Sequence, residues 1–363
     1  MAKTPAAEVI VPGPDGERAV RVSSPDRIIY PATDLTPAVS KLQVAQYFAA
    51  VGEPLLSAIG DRPTALERWP GGVHPGGRLA QGPMDKEADG FYQKRMMKGA
   101  PSYAQTVTIT FPSGRTADEL CPHEVAIPVW CAQMGTITFH PWPVRRGDVD
   151  RPDELRIDLD PQPGTDFGDV VRVAGVAREL FADLGMRAFC KTSGNRGVHV
   201  FVRIEPRWEF TDVRHAAIAF GRELEKRDAG VTTAWWKEER GERIFVDYNQ
   251  NCRDRTIASA WSLRAVQGAT VSTPLTWDEL AGLKDPHVFT LFSVPERLAD
   301  GNPWAEMDDV AHDLTPLLDK WDEHPVELNF PPDYPKMPGE PPRVQPSKKV
   351  AEHWDAEGNR IDS

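Results

Sequence analysis

Cysteine is scarce in this chain. Four occur in 363 residues, Cys121, Cys131, Cys190 and Cys252, separated by 10, 59 and 62 positions. No CxxC pair exists, so neither a zinc ribbon nor a redox pair is indicated, and isolated thiols in a reducing compartment are expected. Also missing is any run of roughly 18 uncharged apolar residues, which excludes a membrane-spanning helix. The opening MAKTPAAEVIVPGPDG has neither the basic n-region nor the apolar h-region of a secretory leader, so a cytoplasmic location is expected. Basic residues are in deficit, 42 against 54 acidic, for a net charge of −12. A uniform deficit would argue against a polyanionic partner. It is not uniform: residues 301–363 hold 14 acidic and 6 basic residues, leaving 40 and 36 in the first 300. A ligand responds to the field of its own cleft, and a nearly balanced body can carry a basic groove.

What is present is an ordinary globular composition, 40% hydrophobic and 26% charged, in a chain long enough for more than one packed unit. Residues 1–20 read as a ragged lead-in with PGPDG as a turn. Over about 21–150 the pattern is mixed: KLQVAQYFAAVGEPLLSAI predicts an amphipathic helix, QTVTITF and GTITFHPW predict strands. From 151 to 265 the order is clearer. DELRIDLDP predicts a strand, and TDFGDVVRVAGVARELFADLG a helix opened by Thr165 or Asp166 and closed by Gly185. MRAFCKTSG and VHVFVRI predict strands joined by the turn GNRG, TDVRHAAIAFGRELEKRD a second helix, ERIFVDYNQ a further strand. The body thus runs over 21–300 as two packed lobes of α+β class. An acidic extension follows at 301–330, then a stiff Pro-rich segment and polar tail at 331–363.

Chemistry is concentrated in three places. In LRIDLDP, Asp158 and Asp160 are two apart and project from one strand face, with Ile157 and Leu159 on the other. Adjacent carboxylates repel, and the usual compensation is a hard divalent cation. Asp247 in RIFVDYN is a third candidate, with Ile244, Val246 and Tyr248 facing away from it. Three such carboxylates suit the metal pair of phosphoryl transfer, although a lone DxD is as often an exposed or salt-bridged strand face. In KTSGNRGVHVFV, Ser193, Arg196 and His199 surround a reversal whose Gly194 and Gly197 let backbone amides approach a phosphate. A hairpin with a structural histidine is the plainer alternative for this motif taken by itself.

In their order, IDLDP, SGNRGVH and FVDYNQN resemble the three catalytic motifs of the archaeo-eukaryotic primase superfamily. The similarity is closest to the polymerase module of bacterial DNA ligase D and its stand-alone primase-polymerase relatives. It extends through SSPDRIIYP, ERWPGGV, FYQKR, KGAPSY, FHPW and SLRA. The resemblance implies a catalytic core with a mostly antiparallel sheet and a packed N-terminal lobe. It implies that Asp158, Asp160 and Asp247 bind two Mn2+ or Mg2+ ions, and that Ser193, Arg196, His199, Arg255 and Arg264 hold a nucleoside triphosphate. His140 would lie near the metals and the ribose, and Phe91 and Tyr92 would stack on a base. Arg27 and Lys41, with Arg68 nearby, would meet a 5′-phosphate across a DNA gap. The implied partners are gapped or broken duplex or primer-template DNA, ribo- or deoxynucleotides with the former preferred, and separate ligase and end-binding repair proteins. The location would then be nucleoid-associated within the cytoplasm.

Two departures stand out. PATDLTPAVSK is longer than the family's usual stretch, and Glu67 in LERWP replaces a residue that is often basic in relatives. No KxDG ligase motif is present, since KEADG at 86–90 has one residue too many, and no nuclease domain is evident, so a polymerase alone is expected. A DxD glycosyltransferase and a catalytically silent DNA-end binding module are the alternatives.

Overall fold

The computed structural model describes residues 4–34, 36–80, 84–111 and 115–329. It opens on a hairpin, β1 (Ala7–Gly13) against β2 (Gly16–Val22). Val9, Val11, Val20 and Val22 are buried, while Ile10 between them is 52% exposed. Only the turn of this unit was expected, in a ragged lead-in. The alternation on both sides of PGPDG in fact closes a two-stranded ribbon, which packs on the helices that follow.

A short ladder of β3 (Ile28–Tyr30) and β4 (Val39–Ser40) leads into α1 (Lys41–Ala50), which starts at a reciprocal Ser40–Gln43 capping box. The single helix expected over 41–59 is two. The chain breaks at Val51 and restarts as α2 (Gly52–Ile59). Pro54 has no N–H and would press on the carbonyl of Ala50 in a continuous helix. Gly52 lies so close to Val125 that a Cβ there would stand 2.3 Å away.

The first sheet contains β5 (Thr64–Arg68), β6 (Phe91–Gln93), β7 (Gln105–Thr110), β8 (Thr116–Cys121) and β9 (Thr136–Pro141), with β5 pairing both β6 and β9. Helix α3 (Ala126–Gln133) joins β8 to β9 and packs on α1. The second sheet is built from β10 (Glu154–Pro161), β11 (Phe189–Thr192), β12 (Val198–Arg203), β13 (Val231–Thr232), β14 (Ile244–Val246) and β15 (Pro274–Leu275). Its order is β13-β14-β10-β12-β11-β15, antiparallel except for β13 with β14. Helices α4 (Phe167–Asp183), capped by Asp166, and α5 (Phe210–Arg227) bury Leu155, Ile157 and Leu159 beneath them. That leaves the opposite face of β10 for polar residues. The fold is α+β with mostly antiparallel sheets.

Four short helices complete the body: α6 (Lys237–Arg240), α7 (Trp277–Gly282), α8 (Ser293–Arg297) and α9 (Thr315–Glu323). The acidic stretch from 301 is well packed, with Trp304 and Met307 in the first core and Leu314, Leu317 and Trp321 in the second. The Pro-rich segment and tail lie outside the described residues. All four cysteines are buried and unbridged. No described helix is long and apolar enough to cross a membrane.

One buried charge network ties the first sheet to the start of β10. Arg62, 0% exposed, donates to both oxygens of Asp153 and lies 3.1 Å from Glu154. Arg156 and Arg203 also bond Glu154, and Arg145 bonds Asp153. Burial alone would raise the Glu154 carboxyl, but the charges of Arg62, Arg156 and Arg203 hold it far below the usual carboxylate range.

Candidate active site

Register, more than any single motif, assembles the site. Antiparallel pairing sets Asp158 of β10 opposite His199 of β12, and His199 opposite Lys191 of β11. The row continues as contacts: His199 Nε2 is 3.4 Å from Asp158 Oδ1, and His199 Nδ1 is 2.7 Å from Lys191 Nζ. Lys191 is fully buried and also donates to Ser272 Oγ at 2.6 Å. Burial, with the charge of Arg264, pulls the Lys191 ammonium well below its ordinary range; burial and Lys191 do the same to His199. Sequence reading missed Lys191, although its place two residues before Ser193 on a strand put it on the face of the motif.

Asp160 follows Asp158 on the same face, its Oδ2 accepting from Gln162 Nε2 at 3.1 Å. Asp247 arrives differently from the expectation. The strand ends at Val246, and Asp247 caps a 3-10 turn over Tyr248–Asn251. Its carboxylate accepts from the Asn249 N–H at 3.0 Å and the Gln250 amide at 2.9 Å, and its own N–H donates to the Asp158 carbonyl at 3.0 Å. Gln250, also unforeseen, thereby holds one aspartate and lines the cleft. Burial, then the charges of Asp247 and Asp160, push the Asp158 carboxyl up to about 8. Burial also raises Asp247 despite those hydrogen bonds.

Among the described residues no three acidic, histidine or cysteine groups surround one point at ligating distance; each aspartate is held by its own bonds. The donor chemistry nevertheless suits a hard cation. All three groups are carboxylates, and the burial and mutual repulsion that raise Asp158 are what a divalent ion offsets. Binding of Mn2+ should therefore release protons when measured between about pH 5 and 7.5, because Asp158 must ionise to accept it. Calorimetry in buffers of differing ionisation enthalpy reads this directly; enthalpies independent of buffer would contradict it.

The glycine-rich reversal is fixed by Ser193. Its Oγ accepts from the N–H groups of Asn195 (3.2 Å) and Gly197 (3.0 Å), leaving its own O–H proton to donate outward. Gly194 has φ +74°, and a Cβ there would stand 2.5 Å from Arg264 Cγ, so only glycine lets that arginine cross the turn. The Arg264 Nε is buried without a hydrogen-bond partner, a charged donor lacking an acceptor. Arg196 is exposed and has no ion-pair partner among the described residues.

Tyr92, His140, Asp158, Asp160, Ser193, Arg196, His199, Gln250 and Arg264 together line a polar cleft of about 260 Å³. A larger cavity of about 740 Å³, lined by Thr36, Asp285 and Phe292 among others, contains none of the motif residues. Arg255 is not on the cleft wall; its charge acts on Asp247. Of the aromatic pair, Tyr92 is 46% exposed and meets the His140 ring edge-on at 5.2 Å, whereas Phe91 lies under the Arg68 guanidinium. Tyr92→Ala should thus weaken template-dependent extension severalfold with little change in melting temperature, and Phe91→Ala should do the reverse.

The expected phosphate-binding cations fare unequally. Arg68 gives Nε and Nη2 to the Met134 carbonyl and Nη1 to Gln93, so its guanidinium is engaged within the protein. Lys41 is 8% exposed and donates to the Ser23 carbonyl at 3.0 Å; burial and neighbouring Arg27 bring its ammonium down to about 8. Arg27 is exposed and donates to the Pro70 carbonyl. The ladder does bring Arg27 and Lys41 together, the N–H of Lys41 bonding the carbonyl of Arg27.

The family model described as "LigD, primase-polymerase domain" matches residues 40–304. The "Multifunctional non-homologous end joining protein LigD" of Pseudomonas aeruginosa is 32% identical over 292 residues, covering 79% of this chain and 32% of that protein. The protein of the same name from Mycolicibacterium smegmatis is 29% identical over 268 residues, covering 72% and 32%. The chain thus spans about a third of the length of these relatives. A solved structure titled "Polymerase Domain from Mycobacterium tuberculosis Ligase D in complex with DNA" superposes with a TM-score of 0.68 at 28% identity, covering 81% of this chain and 99% of that one. The glycosyltransferase alternative falls with these matches. The chain belongs to the LigD primase-polymerase domain family.

Proposed function

We propose that this chain is a metal-dependent nucleotidyltransferase that adds nucleotides, ribonucleotides preferentially, to a DNA primer 3′-hydroxyl at gaps or ends. Non-homologous end joining, the process named in the relatives, is its proposed setting, with a separate ligase and end-binding proteins as partners. The observation that carries the reading is the single cleft joining two kinds of group. Asp158 and Asp160 line it together with Ser193, Arg196 and Arg264, whose buried Nε lacks a partner, and Asp247 is not on its wall but is bonded to Gln250, which is.

Asp158, Asp160 and Asp247 would hold two divalent ions, manganese or magnesium. When bound, these supply charge for a developing 3′-alkoxide and for the α-phosphate and pyrophosphate oxygens. The protein's own groups do the rest. The Ser193 hydroxyl and the Arg196 and Arg264 guanidinium groups orient the triphosphate by donated hydrogen bonds. His199, neutral and fixed between Lys191 and Asp158, orients that carboxylate without adding charge. Tyr92 offers a face to a base. Arg27 with Lys41 is the proposed contact for a downstream 5′-phosphate, remote from the carboxylates.

Extension of a gapped, labelled duplex with ribo- and deoxynucleotides side by side, with and without Mn2+, tests this. Metal-dependent addition with ribonucleotides used more efficiently is expected. DNA binding without addition would instead favour the silent end-binding module. A 5′-phosphorylated gap should also bind tighter than an unphosphorylated one, with a steeper salt dependence.

A further inference from the structure

Glu67 stands behind the cleft wall, bonded to His140, which lines it. It lies on β5, whose pairing with β9 brings His140 alongside. The Glu67 carboxylate is 6% exposed and accepts two hydrogen bonds, from Trp69 Nε1 at 2.9 Å and His140 Nε2 at 3.0 Å. The Trp69 indole is itself immobilised, since it packs so tightly on Gly90 that a Cβ there would stand 2.4 Å from the ring. The Tyr92 ring closes on the imidazole from another side. His140 is therefore clamped, and the clamp has a polarity.

Burial pulls the Glu67 carboxyl up, but the hydrogen bonds from His140 and Trp69 help leave it below its ordinary value, so it is ionised at neutral pH. A carboxylate can only accept. Burial lowers His140 below its ordinary value, so the imidazole is neutral at neutral pH, and the carboxylate requires its one proton on Nε2 and leaves Nδ1 bare. Among the described residues Nδ1 has no protein partner, it is not a buried orphan, and His140 lines the cleft. The nitrogen shown to the ligand is thus an acceptor. A basic side chain at position 67 would impose the opposite tautomer.

An acceptor in a triphosphate site cannot serve phosphate oxygens, which carry no proton. It could meet a base N–H, but base edges differ among nucleotides, whereas every ribonucleotide brings the same sugar hydroxyl. We propose that Glu67 is a positioning residue for ribonucleotide selection: by fixing the His140 tautomer it presents Nδ1 as acceptor to the 2′-hydroxyl of the incoming nucleotide. This rests on the nucleotide-binding reading above and deepens it.

The test needs no primer. In the intact protein with Mg2+, the affinities of ATP, 2′-deoxyATP and 3′-deoxyATP are measured by calorimetry, and the His140 tautomer is read from 15N–1H imidazole spectra. ATP and 3′-deoxyATP should bind about tenfold tighter than 2′-deoxyATP, one hydrogen bond's worth, and should perturb an unprotonated Nδ1 resonance that 2′-deoxyATP leaves in place. Glu67→Gln and Glu67→Ala should protonate Nδ1 in part or whole, and the ATP preference should shrink in step. A protonated Nδ1 in the unaltered protein, equal affinity for ATP and 2′-deoxyATP, or a preference that persists after the tautomer changes would each overturn the proposal. If both variants unfold, the three nucleotides on the unaltered protein still decide it. A protein that discriminates the nucleotides in this way yet extends no primer would refute the polymerase reading and leave Glu67's role standing.

Discussion

Asp160→Ala should reduce nucleotide addition by on the order of a thousandfold or more while leaving DNA affinity nearly unchanged. Removing a cation ligand forfeits several kcal/mol of charge stabilisation at the reacting phosphate, and about 4 kcal/mol corresponds to that factor in rate. DNA affinity comes from cations meeting phosphates, and deleting a carboxylate removes none of them. Asp160 is the informative choice because, among the described residues, its carboxylate bonds only its neighbour Gln162. Asp158 and Asp247 are more deeply embedded, so their loss would disturb His199 or the turn over Tyr248–Asn251 as well. Primer extension and a filter-binding titration on the same preparation read both halves. Near-normal extension would remove the metal proposal.

The largest expected effect on stability lies away from the cleft, at Arg62. Arg62→Ala should cost about 3 kcal/mol, the lower end of the range for breaking a buried ion pair. It lies at that end because Arg203 and Arg145 still face Asp153, and Arg156 and Arg203 still face Glu154. What is lost is the fork on Asp153 and a fully buried side chain. A shift of the urea midpoint with unchanged slope would express this. Arg62→Lys should recover only part of it, since an ammonium cannot bridge both oxygens of Asp153 in one plane. An unshifted midpoint in the alanine variant would mean that the network contributes nothing net.

How far the sequence could be read depended on the distance over which each feature is written. Asp158 and Asp160 were placed on one face from two-residue spacing alone, and the structure puts Ile157 and Leu159 beneath the helices as that spacing requires. The reversal at Ser193–Gly197 was likewise local. Asp247 was assigned to a strand because RIFVDYN alternates, yet alternation cannot show that the chain turns after Val246; the side-chain capping bond decides it. The hairpin over 7–22 had its signal in Val9, Val11, Val20 and Val22, obscured by a proline-rich turn. The contacts that shape the cleft cross long separations: Glu67 meets His140 over 73 positions, and Lys191 meets Ser272 over 81. No local pattern encodes such pairs. Arg68 was the converse case, a basic residue in a suggestive place whose charge is spent on a carbonyl 66 positions away.

The strand β10 carries Glu154, Arg156, Asp158 and Asp160 in succession along one face, anchored at one end and chemical at the other. Consider the chain while it is still folding and the ladder to β12 can form one step out of place. A slip of one residue would turn Leu155, Ile157 and Leu159 away from the helices, and such a state is costly at once. A slip of two residues keeps the apolar side inward and would be the dangerous error. In that state Arg156 would stand where Asp158 belongs, and Glu154 would be drawn out of reach of Arg62 and Arg203. A guanidinium would then face Lys191 and Arg264, and a buried carboxylate would lose its partners. The charge order on this face, with Arg156 between Glu154 and Asp158, thus penalises a misalignment that hydrophobicity alone would tolerate, so the strand should settle in a single alignment before any nucleotide or ion is present to select it.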